Sequence, residues 1–255
     1  MKSQAELRAV DSVRQGPAAG EFGCKVCAAL DTNVCQSPNV ETPPPARTLP
    51  VRQTFQAIPA RRIVCRGQDL SDTVPIICSG WAAMIVMLSD GSRQIVSFLL
   101  PGDMISTTLL FESAPYYQVE AITDVNVRFF NRTDLKTLLR ESPGLLDTFL
   151  KAWVEEKTRT DQLIVDLGRR TADERIARLI LGLAERLSKR DMARGGPTEF
   201  EFPLRQHHIA DATGLTPVHV SKVLSEFRRN GLINISERSI TILDPIGFDR
   251  VANMR

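Results

Sequence analysis

The sequence predicts an α+β chain: a body of short β-strands, one long helix, and a winged helix-turn-helix at the C-terminal end. Three observations carry this reading. Short apolar runs with strand periodicity fill residues 63–130, helical periodicity takes over after Pro143, and a capped, glycine-interrupted helix pair occupies residues 203–243. A chain of 255 residues allows one to two domains, each large enough to bury its own core.

The strand region rests on Ala82–Leu88, Gln94–Leu100 and Val125–Phe130. Ser89-Asp90-Gly91-Ser92 joins the first two runs, and Asp-Gly supplies the backbone angles of a tight hairpin. Several short strands at this spacing predict a sandwich, roll or barrel. After Pro143, the residues Leu146, Phe149, Leu150, Trp153, Leu163, Ile164 and Leu167 fall largely on one helical stripe, interrupted by the charged run Glu155–Arg159. The stretch is about 24 residues, or ~36 Å at the helical rise. Such a helix outlasts a small roll, so a two-fold seam through Trp153, Leu163, Ile164 and Leu167 is expected, with packing in cis as the alternative. Thr171–Leu187 predicts a second amphipathic helix, with Thr171 as N-cap and Glu174 at the capping-box position.

The C-terminal segment is the most informative. Gln206–Thr213 predicts a short helix burying Ile209 and Ala212, and Gly214 stands where the turn needs a left-handed residue. Thr216 caps a second helix, with Pro217 in its first turn and Val220, Val223, Leu224 and Phe227 as its buried stripe. Thr216, Val218, His219, Ser221, Lys222 and Arg228 are then the residues expected to meet DNA, since the N-terminal part of such a helix reaches base edges. Gly231 ends the helix, and strands around Ile233–Ile235 and Ser239–Leu243 make a wing. The competing view is a generic two-helix hairpin with a basic surface.

Composition narrows the function classes. The net charge of +2 does not announce a nucleic-acid partner, but from Arg169 onward there are 15 Lys/Arg against 11 Asp/Glu. No run of 18 apolar residues occurs, which argues against a membrane span, and the N-terminus lacks the apolar core of a signal peptide. The cytoplasm is the expected compartment. An enzyme is not expected: no phosphate-binding glycine loop or nucleophile elbow occurs, and His207, His208 and His219 all lie in the helix-turn-helix, where a DNA-facing or helix-surface place is expected. A non-DNA interaction module would leave the capped basic helix without a purpose.

Five cysteines in a reducing compartment call for another use than disulfides. Cys24, Cys27 and Cys35 are spaced x2 and x7, so that three thiolates can grip one metal or cluster. An iron–sulfur cluster, a zinc or thiol redox site, and a relic without a ligand all remain open.

The segment IADATGLTPVHVSKVLSEFRRNGLI (209–233) resembles the helix-turn-helix of Crp/Fnr transcription regulators. GSRQIVSFLLPGDMI, with Phe111 following, is similar to that family's hairpin and Pro-Gly-Asp turn, and RRTADERIARLILGL resembles the helix after its dimerisation helix. The resemblance covers about residues 56–250. It implies a cyclic-nucleotide-binding-like jelly-roll, a homodimer reading a palindromic double-stranded operator, and RNA polymerase as a partner. The organisation then becomes a mobile arm with the cysteine segment at 1–50, a β-roll sensor at 51–142, a dimerisation helix at 143–168 and the winged helix-turn-helix at 169–255.

Departures qualify what is carried over. Nucleotide-binding members use a Glu and an Arg-Ser pair where this chain has Ser106-Thr107-Thr108 and Tyr116-Tyr117, so cyclic AMP is not expected. Fnr-like recognition helices carry Glu-x-x-Ser-Arg, which here becomes Val218, Ser221 and Lys222. The x2 and x7 cysteine spacings are similar to those of Fnr-type oxygen sensors with a [4Fe–4S] cluster, implying a response to oxygen, nitric oxide or redox state. Those sensors take a fourth cysteine from the roll, where this chain has Arg128; Cys78, beside the Ser79-Gly80 turn, is the expected substitute, and Cys65 the expected core filler.

Overall fold

The computed structural model describes residues 51–66, 72–111, 116–190 and 199–253. The cysteine segment and the arm predicted at 1–50 lie outside these residues. Among the described residues the first body has β1 (Gln53–Ile58), β2 (Ile63–Arg66), β3 (Thr73–Ser79), β4 (Ala82–Met87), β5 (Arg93–Leu99), β6 (Gln118–Ala121) and β7 (Val125–Asn131). They pair antiparallel in the orders β1-β7-β3 and β2-β6-β4-β5, forming two facing sheets.

The continuous apolar run of β4 has a physical reason. Ala82 and Met84 point into the core between the sheets, whereas Ala83 and Ile85 point outward into a second core shared with the C-terminal helices. A strand covered on both faces loses its alternation. At the turn after β3, Gly80 has φ +80°, and a Cβ there would stand 2.1 Å from the Asp124 carbonyl oxygen, so no other residue fits. Cys78 belongs to β3 itself, just ahead of this turn.

Helix α1 (Arg132–Glu141), which the periodicity did not single out, is capped by Asn131 and closes the roll core with Leu135, Leu138 and Leu139. Helix α2 (Pro143–Arg169) starts on a proline, where the missing N–H is harmless, and runs for 27 residues. Helix α3 (Ala172–Arg190) opens on the expected capping box: Thr171 donates its N–H and its hydroxyl to the Glu174 carboxylate at 2.8 and 2.9 Å. Those bonds hold the Glu174 carboxyl below its ordinary value, the backbone N–H of Thr171 being the largest cause.

The C-terminal body has α4 (Gln206–Thr213), α5 (Pro217–Arg229), α6 (Pro245–Ala252) and a sheet ordered β8-β10-β9, from β8 (Glu199–Glu201), β9 (Ile233–Ile235) and β10 (Ser239–Ile242). The wing thus gains a third strand, β8, too short to carry a periodic signal. Its core joins Ile176, Ile180, Val220, Phe227 and Phe248 to the outward face of β4 and β5. Polar links fasten the same junction: Arg93 lies 3.2 Å from Glu120 and 3.3 Å from Asp211, and Arg186 donates to the Phe98 carbonyl at 2.9 Å. No described helix is long and apolar enough to cross a membrane.

Candidate DNA-binding interface and sensor segment

The turn between α4 and α5 is built as its residues dictate. Gly214 adopts φ 67° and ψ 33°, the left-handed cap that ends α4. Leu215 then donates its N–H to the Ala210 carbonyl, and Thr216 Oγ1 accepts the N–H of His219 at 3.2 Å to start α5. Val220, Val223, Leu224 and Phe227 anchor α5 in the core. The opposite face is open: Val218 is 81% exposed, and His219, Lys222, Ser225, Arg228 and Arg229 are exposed around it. Ser221 is half-buried beside them. The Thr216 hydroxyl is engaged as the cap, so its contribution to the face is to fix the helix start.

The three histidines divide. His207 and His219 are exposed, but His208 is 8% exposed, which corrects the expectation of a surface or DNA-facing place for it. It closes the start of α4: Arg205 donates its backbone N–H to His208 Nδ1 at 3.1 Å. Burial, reinforced by the charges of His207, Arg93 and Arg205, pushes His208 down to about 4. The helical stripe could not distinguish a buried capping imidazole from an exposed one.

The four residues assigned to a two-fold seam also divide. Trp153 is 54% exposed and Ile164 is 65% exposed, and both share an open stripe with Leu146 and Leu150. Leu163 and Leu167 are half-buried and line a cavity of about 430 Å³ between α2, β5, α3 and α4. One residue of helix turns a side chain by about 100°, so neighbours in sequence serve different surfaces.

In the roll, the Ser106-Thr107-Thr108 segment enters a single 3-10 turn, Thr107–Leu110. Its donors converge on Glu156 of α2. Ser106 Oγ donates to Oε1 at 2.9 Å, while Thr107 donates its N–H and its hydroxyl to Oε2 at 3.0 and 2.7 Å. Tyr117 is buried close by, and that burial raises its phenol well above the ordinary value. Sequence reasoning missed Glu156, whose only signal was a charge interrupting an apolar stripe.

Of the described cysteines, Cys65 is 4% exposed in the roll core and Cys78 is half-buried. Arg128, on the neighbouring strand β7, donates to Gln53 Oε1 at 3.3 Å and lies over the Phe55 ring. Among the described residues no group of three metal-ligating side chains occurs. Cys24, Cys27 and Cys35 lie outside them.

Comparison with known proteins agrees with this geometry. The family model of the Crp-like helix-turn-helix domain matches residues 174–250, and that of the cyclic nucleotide-binding domain matches residues 55–142. The chain is 30% identical to the nitrogen fixation regulation protein FixK of Bradyrhizobium diazoefficiens, over 91% of this chain and 94% of that protein. The chain belongs to the Crp/Fnr family. It is a DNA-binding transcription regulator of that type. It is also 29% identical to the transcriptional activator protein FnrL of Cereibacter sphaeroides, over 77% of this chain and 79% of that one. The structure of FixK2 from Bradyrhizobium japonicum shares the Crp/Fnr fold, with a TM-score of 0.67 at 24% identity over 79% of this chain and 96% of that chain. These relatives are regulators by name, not enzymes.

Proposed function

We propose that this Crp/Fnr regulator works as a cytoplasmic homodimer that lays one α5 helix in each half of a palindromic operator. The carrying observation is the split character of α5: one face anchored by Val220, Val223, Leu224 and Phe227, the other presenting Val218, His219 and Lys222 to solvent. Thr216 and Ser221 set and flank that face, and Arg228 extends it toward the wing, where Lys or Arg can meet phosphate. The open stripe of Leu146, Leu150, Trp153 and Ile164 is the proposed two-fold seam, and RNA polymerase is the proposed partner at the promoter.

The proposed signal is oxygen, nitric oxide or redox state, sensed by a [4Fe–4S] cluster on Cys24, Cys27, Cys35 and Cys78. The thiolate spacing supports this reading, as does the accessibility of Cys78 relative to the buried Cys65. Arg128, which stands where the resemblance implies a fourth cysteine, is the reason Cys78 is proposed in its place.

One experiment addresses both parts. Wild-type and Lys222→Ala protein, each purified anaerobically and analysed for iron, are titrated on a selected palindrome before and after exposure to air. Lys222→Ala is expected to lose about 1–3 kcal/mol of operator affinity while staying folded. Equal affinity of both proteins would remove α5 from the interface. Iron-free protein that binds DNA identically before and after air would end the cluster proposal.

A further inference from the structure

Glu156 is the fourteenth residue of α2 and sits on the helix face turned toward the roll. On the N-terminal side of it, α2 is fixed to the roll by Leu145, which is 2% exposed, and by Phe149 packed on the same core. On the C-terminal side the inward face, with half-buried Leu163 and Leu167, borders a cavity of about 430 Å³ between α2, β5, α3 and α4. Glu156 therefore ties α2 to the roll by hydrogen bonds between the packed Leu145–Phe149 segment and the cavity-facing part of the helix.

The link is built for a negative charge. Three neutral donors, the hydroxyls of Ser106 and Thr107 and the N–H of Thr107, converge on one carboxylate, and Ser106 and Thr107 are 2% and 5% exposed. Hydrogen bonds to an ionised acceptor are about twice as strong as neutral ones, and here the donors are buried while Glu156 itself is half-buried. The onward path is also continuous. Asp166, ten residues along α2, is bonded to Arg178 of α3 at 2.7 Å, and Leu167 Cδ2 lies 3.5 Å from where a Cβ on Gly214 would stand. The C-terminal end of α2 thus touches both α3 and the turn that orients α5.

We propose that Glu156 is a built-in ligand: its carboxylate satisfies the hydrogen-bond donors of the Ser106–Thr107 segment and so fixes α2 at the angle required for DNA binding. It is a positioning residue and touches no DNA. The proposal rests on DNA binding through α5, and it assigns the roll a permanently satisfied state in which no small anionic effector is needed.

The test uses the full-length protein. Glu156→Ala and the near-isosteric Glu156→Gln are each compared with wild type for operator affinity, and for hydrogen exchange at the Thr107 amide without DNA. Both variants are expected to lose protection at Thr107 and to bind the operator at least about tenfold more weakly. Acetate, added against chloride of equal ionic strength because phosphate contacts are salt-sensitive, should restore much of the affinity of Glu156→Ala. It should not do so for a Glu156→Ala/Thr107→Val double variant. If Glu156→Ala does not fold, Glu156→Gln decides through exchange and affinity. Wild-type affinity in Glu156→Gln, or equal recovery with acetate and chloride, overturns the proposal, and so does a rise in wild-type affinity on adding cyclic AMP. Wild-type protein that binds no DNA, with Thr107 still protected, would count against the α5 reading and not against the carboxylate link.

Discussion

Two short polar segments of this chain begin alike and end differently. Thr216 caps α5 through its hydroxyl, and Ser106 caps the 3-10 turn of the roll through its own. After Thr216 the polar and charged side chains face solvent; after Ser106 they close on Glu156. The first segment keeps its hydrogen-bonding capacity for a partner from outside, and the second spends it on a helix of the same chain. Resemblance alone would give both segments a ligand. Geometry leaves one open to solvent and ties the other to a helix of the same chain.

The largest effect expected is on α2, which serves both regions. A charge placed at Ile164, on the open stripe, should convert the dimer to monomers and abolish operator binding, because it would enter an apolar two-fold seam. The same change at Leu163 faces the cavity beside α3 and should leave a dimer of lower thermal stability. Light scattering and thermal melts of Ile164→Glu and Leu163→Glu distinguish the two surfaces. Monomers from both, or from neither, would place the seam on another face.

The DNA-binding half was legible because its signals are local. Gly214, Thr216 and Pro217 each state a backbone requirement within one turn of helix, and the stripe from Val220 to Phe227 repeats at helical spacing. The roll was legible as strands, though β4 gave a run and not an alternation because both its faces are covered. What escaped was long-range and polar. Glu156 meets Thr107 across 49 residues, and Arg93 meets Asp211 across the junction of the two bodies. Neither leaves a periodic trace. His208 escaped for a related reason: its burial is decided by the roll against which α4 packs.

That histidine provides the next comparison, since it sits where the two regions join. Its folded-state value of about 4 lies below the ordinary 6.5, so the unfolded chain takes up the proton first. The stability it contributes is complete above pH ~6.5 and is lost as pH falls through ~4. Asp211, whose carboxyl burial holds above its ordinary value, works in the opposite direction at the acid end. Denaturant unfolding of wild type between pH 7.5 and pH 4 should therefore show a decline that His208→Gln flattens. Parallel pH curves for the two proteins would show that His208 is not held neutral by the fold.

The smallest effect concerns what the open face of α5 reads. Val218 stands in the first turn at 81% exposure, and its isopropyl group can make no hydrogen bond. In the major groove the apolar feature on a base edge is the C5-methyl of thymine. Val218 is therefore expected to favour a thymine at one position of each half-site, where a glutamate would favour the amine of cytosine. Removing one methyl contact costs on the order of 0.8 kcal/mol, so the measurement must be a comparison within one operator. Replacing each thymine in turn by deoxyuridine removes only the methyl. Wild type should weaken at one position per half-site, Val218→Ala should not respond there, and Val218→Glu should move the preference at that position to cytosine. A wild-type protein indifferent to deoxyuridine at every position would mean that Val218 meets the sugar–phosphate backbone, leaving base selection to His219 and Lys222.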